Sequence, residues 1–284
     1  MTKIALVTDS TAYIPKNLME QYNIQVVPNI VIWGGKSYRD GVDMQPSEFF
    51  ERLKVDAEHP TTSVASLGDM QAVYAKALEG KEGVVGVHVS GKLSNTYKVA
   101  QEAANMVNGS AIRVVDSQVT SMALGFVVLA AARAAAEGKA LAEVAQVAQN
   151  AVPRVGVVLT VETLKYLQRG GRIGAAQAFV GGLLDMKPVL EVRDGAVHPL
   201  ERVRSKKKAA ARLVDLVTTR LTGKSNLRVA AIHASAESEA REMLEAVKAS
   251  LGGAVVEALV TDVSPTVAVH TGPGTIGLAY SEGI

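Results

Sequence analysis

Short β-branched runs alternate with segments of helical period along the first half of the chain, and this alternation restricts the fold more than any other feature. Ile4 to Val7, Ile24 to Trp33, Val84 to Val89 and Ile112 to Val115 read as strands. Pro46 to Leu53, Leu67 to Leu78, Thr96 to Val107, Thr120 to Glu137 and Leu141 to Ala151 read as helices. Strands that each hand over to a helix build a parallel sheet with helices on its faces. The apolar, alanine-rich stretch Met122 to Ala132 is about half of the ~20 residues a membrane span needs, and reads as a buried, closely packed helix.

After Pro153 the rhythm changes. Val155 to Val161 is a strand, and Val189 to Val192 and Ala196 to Leu200 flank Arg193-Asp194-Gly195, a hairpin signal. A helix over about Lys206 to Leu221, a strand at Leu227 to His233, a helix from Ser235 to Leu251 and strands near Val255 to Leu259 and Thr266 to His270 follow. The expected fold class is α/β. Residues 1–153 form a helix-covered, mainly parallel sheet domain and residues 154–284 a smaller α+β domain, with a ligand between the two. At 284 residues the chain is long enough to bury a core in each.

Composition narrows the function classes. Lys and Arg number 30 against 28 Asp and Glu, a net charge of +2, so nothing global suggests a nucleic-acid partner. Cysteine is absent, which removes disulfides, thiolate zinc sites and cysteine nucleophiles together. His59, His88, His198 and His233 show no shared spacing with Asp or Glu, and no metal site is expected. The start, Met1-Thr2-Lys3-Ile4, enters an apolar run without the parts of a signal peptide, so a cytoplasmic protein without stable membrane insertion is expected.

Several nucleotide and hydrolase motifs fail on inspection. Residues 272 to 277 satisfy G-x-G-x-x-G, but too little chain follows for a βαβ unit or its distal acidic residue. Gly86 to Lys92 approaches a phosphate loop, yet Leu93 stands where the magnesium-binding hydroxyl belongs, and Val87 and Val89 follow a strand pattern. No serine sits in a G-x-S-x-G elbow.

What remains is a set of hydroxyl-rich strand ends. Thr8-Asp9-Ser10 follows the first strand, Ser90 to Thr96 the third and Asp116-Ser117 the fourth. In an open parallel sheet such ends share one edge, where ligands bind, although the same residues also serve as helix caps and loop braces. Near the C-terminus His270 and Thr271 lead into Gly272-Pro273-Gly274-Thr275, either a plain turn or a loop better suited to holding an anion than to cutting a bond. Arg169 and Arg172 flank Gly170-Gly171, a loop that could meet an anion or an acidic partner, or simply be a solvated turn. Ala175 to Met186 is small and apolar, suited to core packing or to lining an acyl tunnel.

Taken in order, Thr8-Asp9-Ser10, Pro60 to Ser66, His88-Val89-Ser90 with Leu93 to Tyr97, Val115-Asp116-Ser117, Leu167 to Ile173, Lys187 to Leu190 and His270 to Gly277 resemble the DegV family of bacterial fatty-acid-binding proteins. The resemblance spans nearly the whole chain. It implies a DegV-like fold and a non-catalytic carrier that encloses one long-chain fatty acid, about C16 to C18. The carrier would present the carboxyl group to a separate ATP-dependent fatty acid kinase with a nucleotide-binding domain, for acyl-phosphate formation and phospholipid synthesis.

By the same resemblance Thr62 and Ser94 bind the carboxylate and His270 matches the family's C-terminal histidine. Ser10, Ser63, Thr96, Ser117 and Gly272 are secondary ligand-site candidates. Arg169, Arg172 and Arg204 are candidates for contact with the kinase or the transferred phosphate. No cofactor is implied, and a monomer is the expectation. Asn95 and Lys98 stand where the family usually has Gly and Gln, which draws attention to the backbone beside Ser94. A serine-dependent esterase or acyltransferase working through His270 is the alternative.

Overall fold

A computed structural model describes residues 2–181 and 186–284. The first half runs β1 (Ile4–Asp9), α1 (Lys16–Tyr22), β2 (Ile24–Val27), β3 (Ile30–Trp33), β4 (Lys36–Arg39), α2 (Pro46–Val55), β5 (Thr61–Ser63), α3 (Leu67–Leu78), β6 (Gly83–His88), α4 (Thr96–Asn108), β7 (Ile112–Asp116), α5 (Ser121–Ala136) and α6 (Leu141–Ala151). β1, β2, β6 and β7 form the expected parallel sheet, in the order β2-β1-β6-β7. Its strands are apolar on both faces because α3 and α4 cover one face and α5 the other.

The second half runs β8 (Val155–Thr160), α7 (Lys165–Arg169), β9 (Lys187–Arg193), β10 (Ala196–Val203), α8 (Lys206–Leu221), β11 (Leu227–His233), α9 (Glu237–Leu251), β12 (Val255–Asp262), α10 (Pro265–Thr271) and β13 (Ile276–Glu282). Its six strands make one mixed sheet, ordered β10-β9-β8-β13-β11-β12. Side chains alternate across β8: Val157 and Leu159 face the core shared with α5, whereas Val158 faces α8 and α9. The hairpin joining β9 to β10 turns at Asp194 and Gly195, with φ of 51° and 81°, the left-handed pair a type I′ turn requires.

α5 lies between the two sheets and touches β1, β6, β8, β11 and β13. Its alanines let both sheets approach, and nearly every residue from Ser121 to Ala135 is buried. The hairpin tip adds a second link between the halves. Ser90 Oγ donates to the Gly195 carbonyl at 2.8 Å, and a Cβ at Gly195 would stand 2.6 Å from that hydroxyl, so the approach requires glycine.

Two sequence expectations are corrected. The single strand read over Ile24 to Trp33 is two strands in different sheets, because Pro28 has no N–H to continue a ladder and Asn29 turns inward. β3 instead pairs with β4 and β5 in a three-stranded antiparallel sheet. The strand read over Thr266 to His270 is the helix α10. Ser264 accepts the Val267 N–H as its N-cap, and Pro265 occupies the first turn. The strand of this region is β13, in the middle of the six-stranded sheet.

Candidate functional site

The three-stranded sheet, through Val31 and Trp33, and α2, through Phe49, pack against Val263, Ala268 and Val269 around α10, and this packing delivers the first part of the site. Thr62 lies on β5 opposite Val31. Its Oγ1 meets His270 Nε2 at 2.9 Å across 208 residues of sequence. Gly170 lies directly against the other side of the ring, where any Cβ would collide with His270 Nδ1. Burial pushes the pKa of His270 down to about 4, and the charges of Arg172 and His59 act in the same direction. The ring is therefore neutral at physiological pH, and its buried Nδ1 has no partner among the described residues.

The second part comes from the loop between β6 and α4. Ser94 Oγ lies 2.8 Å from Thr96 Oγ1 and accepts the Thr96 N–H at 3.2 Å. Thr96 Oγ1 donates in turn to Asn29 Oδ1 at 3.1 Å. Asn95 has a φ of −74°, an angle any residue adopts, so no glycine is needed there, and Lys98 is exposed. Neither departure strains the loop.

Thr62, Ser94 and His270 open on one narrow cavity between the two sheets, with about 110 Å³ of accessible space. Val157, Leu159, Val192, Val197 and Ile232 of the six-stranded sheet form its apolar wall. The deep residues Val157 and Ile232 are buried, whereas Thr62, Ser94 and His270 are half-buried. The pocket thus has a largely apolar wall, a half-buried polar group at Thr62, Ser94 and His270, and single buried polar side chains such as Asn29 and Ser121 in its lining, the usual build of a small-molecule site.

The family model that matches residues 3–283 is that of the DegV family, a family of uncharacterised proteins by its own description. The chain belongs to the DegV family. It is 33% identical to Protein DegV of Bacillus subtilis over 98% of both chains. It is 34% identical to a DegV domain-containing protein of Halalkalibacterium halodurans over 99% of both. Among solved structures, a fatty-acid-binding DegV family protein from Thermus thermophilus superposes with a TM-score of 0.93 at 38% identity, covering 99% of this chain and 100% of that one. A stearic-acid-binding protein from Eubacterium ventriosum gives 0.89 at 25% identity, covering 99% and 98%.

The remaining sequence candidates of this DegV chain are distributed unevenly. Ser63 lines the cavity beside Thr62, with its Oγ donating to the Val64 carbonyl. Thr96 is fully buried one hydrogen bond behind Ser94. Gly272, at φ 79°, ends α10 against the Tyr166 ring and does not line the cavity. Ser10 donates to Asp40 at 2.8 Å, and Ser117 bonds Val119, its hydroxyl bracing its own loop. Arg172 lines the cavity wall and is committed to the Leu93 and Gly170 carbonyls at 2.9 and 2.7 Å. Arg169 and Arg204 are exposed and outside the lining. The Ala175 to Met186 segment contributes no lining residue among its described part, and residues 182–185 lie outside the described residues.

Among the lining residues that escaped sequence reasoning are Asn29, Ser121 and Thr266. Asn29 follows Pro28 inside an apparent strand, a signal that the strand breaks there. Ser121 opens α5 at a left-handed φ of 55°, and its buried Oγ has no partner among the described residues. Such strain in a non-glycine residue gathers at binding sites.

Among the described residues no group of acidic or histidine side chains is placed to hold a metal ion, and no helix is long and apolar enough to cross a membrane.

Proposed function

We propose that the protein is a non-catalytic carrier that encloses one long-chain fatty acid, its tail against the six-stranded sheet and its carboxylate at Thr62, Ser94 and His270. The observation that carries this reading is the cavity itself, largely apolar along its walls with a half-buried polar group at Thr62, Ser94 and His270. Relatives that match over the whole chain bind fatty acids, which supports the same ligand class here. A tail of ~14 methylenes at ~0.8 kcal/mol each supplies about 11 kcal/mol of gross transfer energy, so affinity comes from the tail and orientation from the head.

A half-buried carboxyl group is accessible to a second protein. The carrier would hand its cargo to a separate ATP-dependent fatty acid kinase, with Arg172 at the cavity wall and the exposed Arg169 and Arg204 as contacts for that partner or for the transferred phosphate. It would act as a cytoplasmic monomer. The esterase alternative finds less support. His270 Nε2 meets a threonine instead of a serine, its Nδ1 has no carboxylate to orient it, and a pKa of about 4 makes a weak base at neutral pH.

Thr62→Ala and Ser94→Ala each remove a hydroxyl from the head-group site, Ser94 exchanging its bond to Thr96 Oγ1 for one to the ionised head group, a bond of about 1.5–3 kcal/mol. Each is expected to weaken stearate binding by roughly 10- to 100-fold in a titration, with the fold retained. Unchanged affinity in both variants would place the carboxylate elsewhere.

A further inference from the structure

Asp40 follows β4 and is 2% exposed, yet it does not line the cavity. Its backbone N–H donates to the Asn29 carbonyl at 2.9 Å. Its Oδ2 accepts from Ser10 Oγ at 2.8 Å and from the Thr266 N–H at 3.3 Å. Two paths lead from this carboxylate to the head-group site. Along one, Ser10 Oγ accepts the Asn29 N–H at 3.1 Å, and Asn29 Oδ1 accepts from Thr96, the hydrogen-bond partner of Ser94. Along the other, Thr266 belongs to the first turn of α10, whose last turn holds His270 against Thr62.

We propose that Asp40 is a positioning residue for the head-group site, its carboxylate tying the Ser94 hydroxyl, through Ser10, Asn29 and Thr96, to the helix that carries His270. The inference rests on the carrier reading above. A second, part-buried link, Arg172 to the Leu93 and Gly170 carbonyls, joins the β6–α4 loop to the backbone beside His270, and Asp40 is the fully buried tie between the same two hydroxyl clusters. Hydrogen-bonded networks of this kind set geometry because each buried member leaves the next unsatisfied if it moves.

The surroundings of Asp40 give the tie a pH signature. Burial pushes its pKa up to about 6, against the hydrogen bonds from Thr266, Ser10 and Ser264 that favour its ion. Asp9 and Tyr13 near the end of β1, Lys16 of α1 and Asp262 of β12 line the same depression. Asp262 is paired with His233 at 3.5 Å, Asp9 with His88, and the neighbouring Arg39 with Asp43. The charge on Asp40 is therefore present at neutral pH and lost near pH 6, above the range in which His270 gains a proton.

The test uses the full chain. Asp40→Ala is expected to weaken stearate binding about tenfold at pH 7.5, about the loss of one net hydrogen bond. The conservative Asp40→Asn, which keeps an acceptor oxygen, recovers most of that affinity. In ligand-free protein the Asn29 side-chain amide signals are expected to shift with a midpoint near pH 6 and to stay still in Asp40→Asn. A folded Asp40→Ala that binds stearate like wild type would overturn the proposal, as would Asn29 signals that do not titrate. If Asp40→Ala does not fold, the Asn29 titration decides: signals that move near pH 6 in wild type and stay still in Asp40→Asn support the tie, and signals that behave alike in both overturn it. Wild-type protein that binds no stearate would sink the carrier reading, while the Asn29 titration would still report on the tie.

Discussion

Replacing His88 with alanine is expected to destabilise the protein by about 3–5 kcal/mol, the cost of leaving the buried Asp9 carboxylate without one of its hydrogen-bond partners. Asp9 and His88 are both fully buried where β1 and β6 end side by side. Asp9 Oδ2 accepts the Val89 N–H at 2.9 Å and lies 3.2 Å from His88 Nδ1. Oδ1 accepts from the Thr11 N–H and hydroxyl at 3.1 and 2.6 Å. An ionised carboxylate only accepts, so His88 Nδ1 carries a proton, and in the neutral ring Nε2 accepts from the Tyr74 hydroxyl at 2.8 Å.

Burial alone would raise the pKa of Asp9, but His88, by hydrogen bond and charge, together with Thr11 and Val89 brings the net value below 3.8. A depressed carboxylate pKa contributes stability that is present above the ordinary value and lost as pH falls through the folded one. Wild type should therefore lose this contribution below about pH 4, and His88→Ala should lack most of it at pH 7. Urea unfolding of both proteins from pH 7 down to 3 measures the difference. A midpoint shift worth less than about 1 kcal/mol at pH 7 would mean that the pair does not anchor these strand ends.

The second large effect concerns the cavity wall. Val157→Trp is expected to raise the dissociation constant for 16- to 18-carbon acids by about 10³-fold or more. Val157 is 2% exposed, faces the cavity from β8 and stands beside Leu159 on the same wall. An indole there fills space the tail would occupy. Displacing even ~6 methylenes at ~0.8 kcal/mol each forfeits about 5 kcal/mol, which exceeds the three decades stated. Because the cavity already holds empty volume, overpacking should cost the fold only ~1–3 kcal/mol. The loss should grow with acyl length, so a series from 8 to 18 carbons is informative. Wild-type affinity for stearate in a folded Val157→Trp variant would place the tail outside this cavity.

The sheet-and-helix plan was legible because burial imposes a period on each element. The apolar runs of β1, β6 and β7, the alanine-rich α5 and the Asp194-Gly195 turn all follow from local pattern and turn chemistry. A strand is expected where α10 forms because Thr266-Val267-Ala268-Val269 is β-branched enough to suggest one. Ser264-Pro265, a capping residue followed by proline at the first turn, was the stronger signal and decides the helix. Thr62, Ser94 and His270 were selected by resemblance, and their convergence on one cavity depends on long-range contacts that no local window contains. Asn29 and Ser121 illustrate the limit: each has a role only through partners brought near by the fold. Ser10 and Ser117 were chosen as hydroxyls at strand ends, and their bonds to Asp40 and Val119 show why that pattern alone does not distinguish a ligand contact from a brace.

The most direct test of the carrier reading is the native mass of the purified recombinant protein against its denatured mass, with the released material identified by gas chromatography. The expected result is a single fatty acid of about 16 to 18 carbons, close to one per chain, lost on denaturation. Protein that carries no lipid and takes up none when stearate is added would contradict the account.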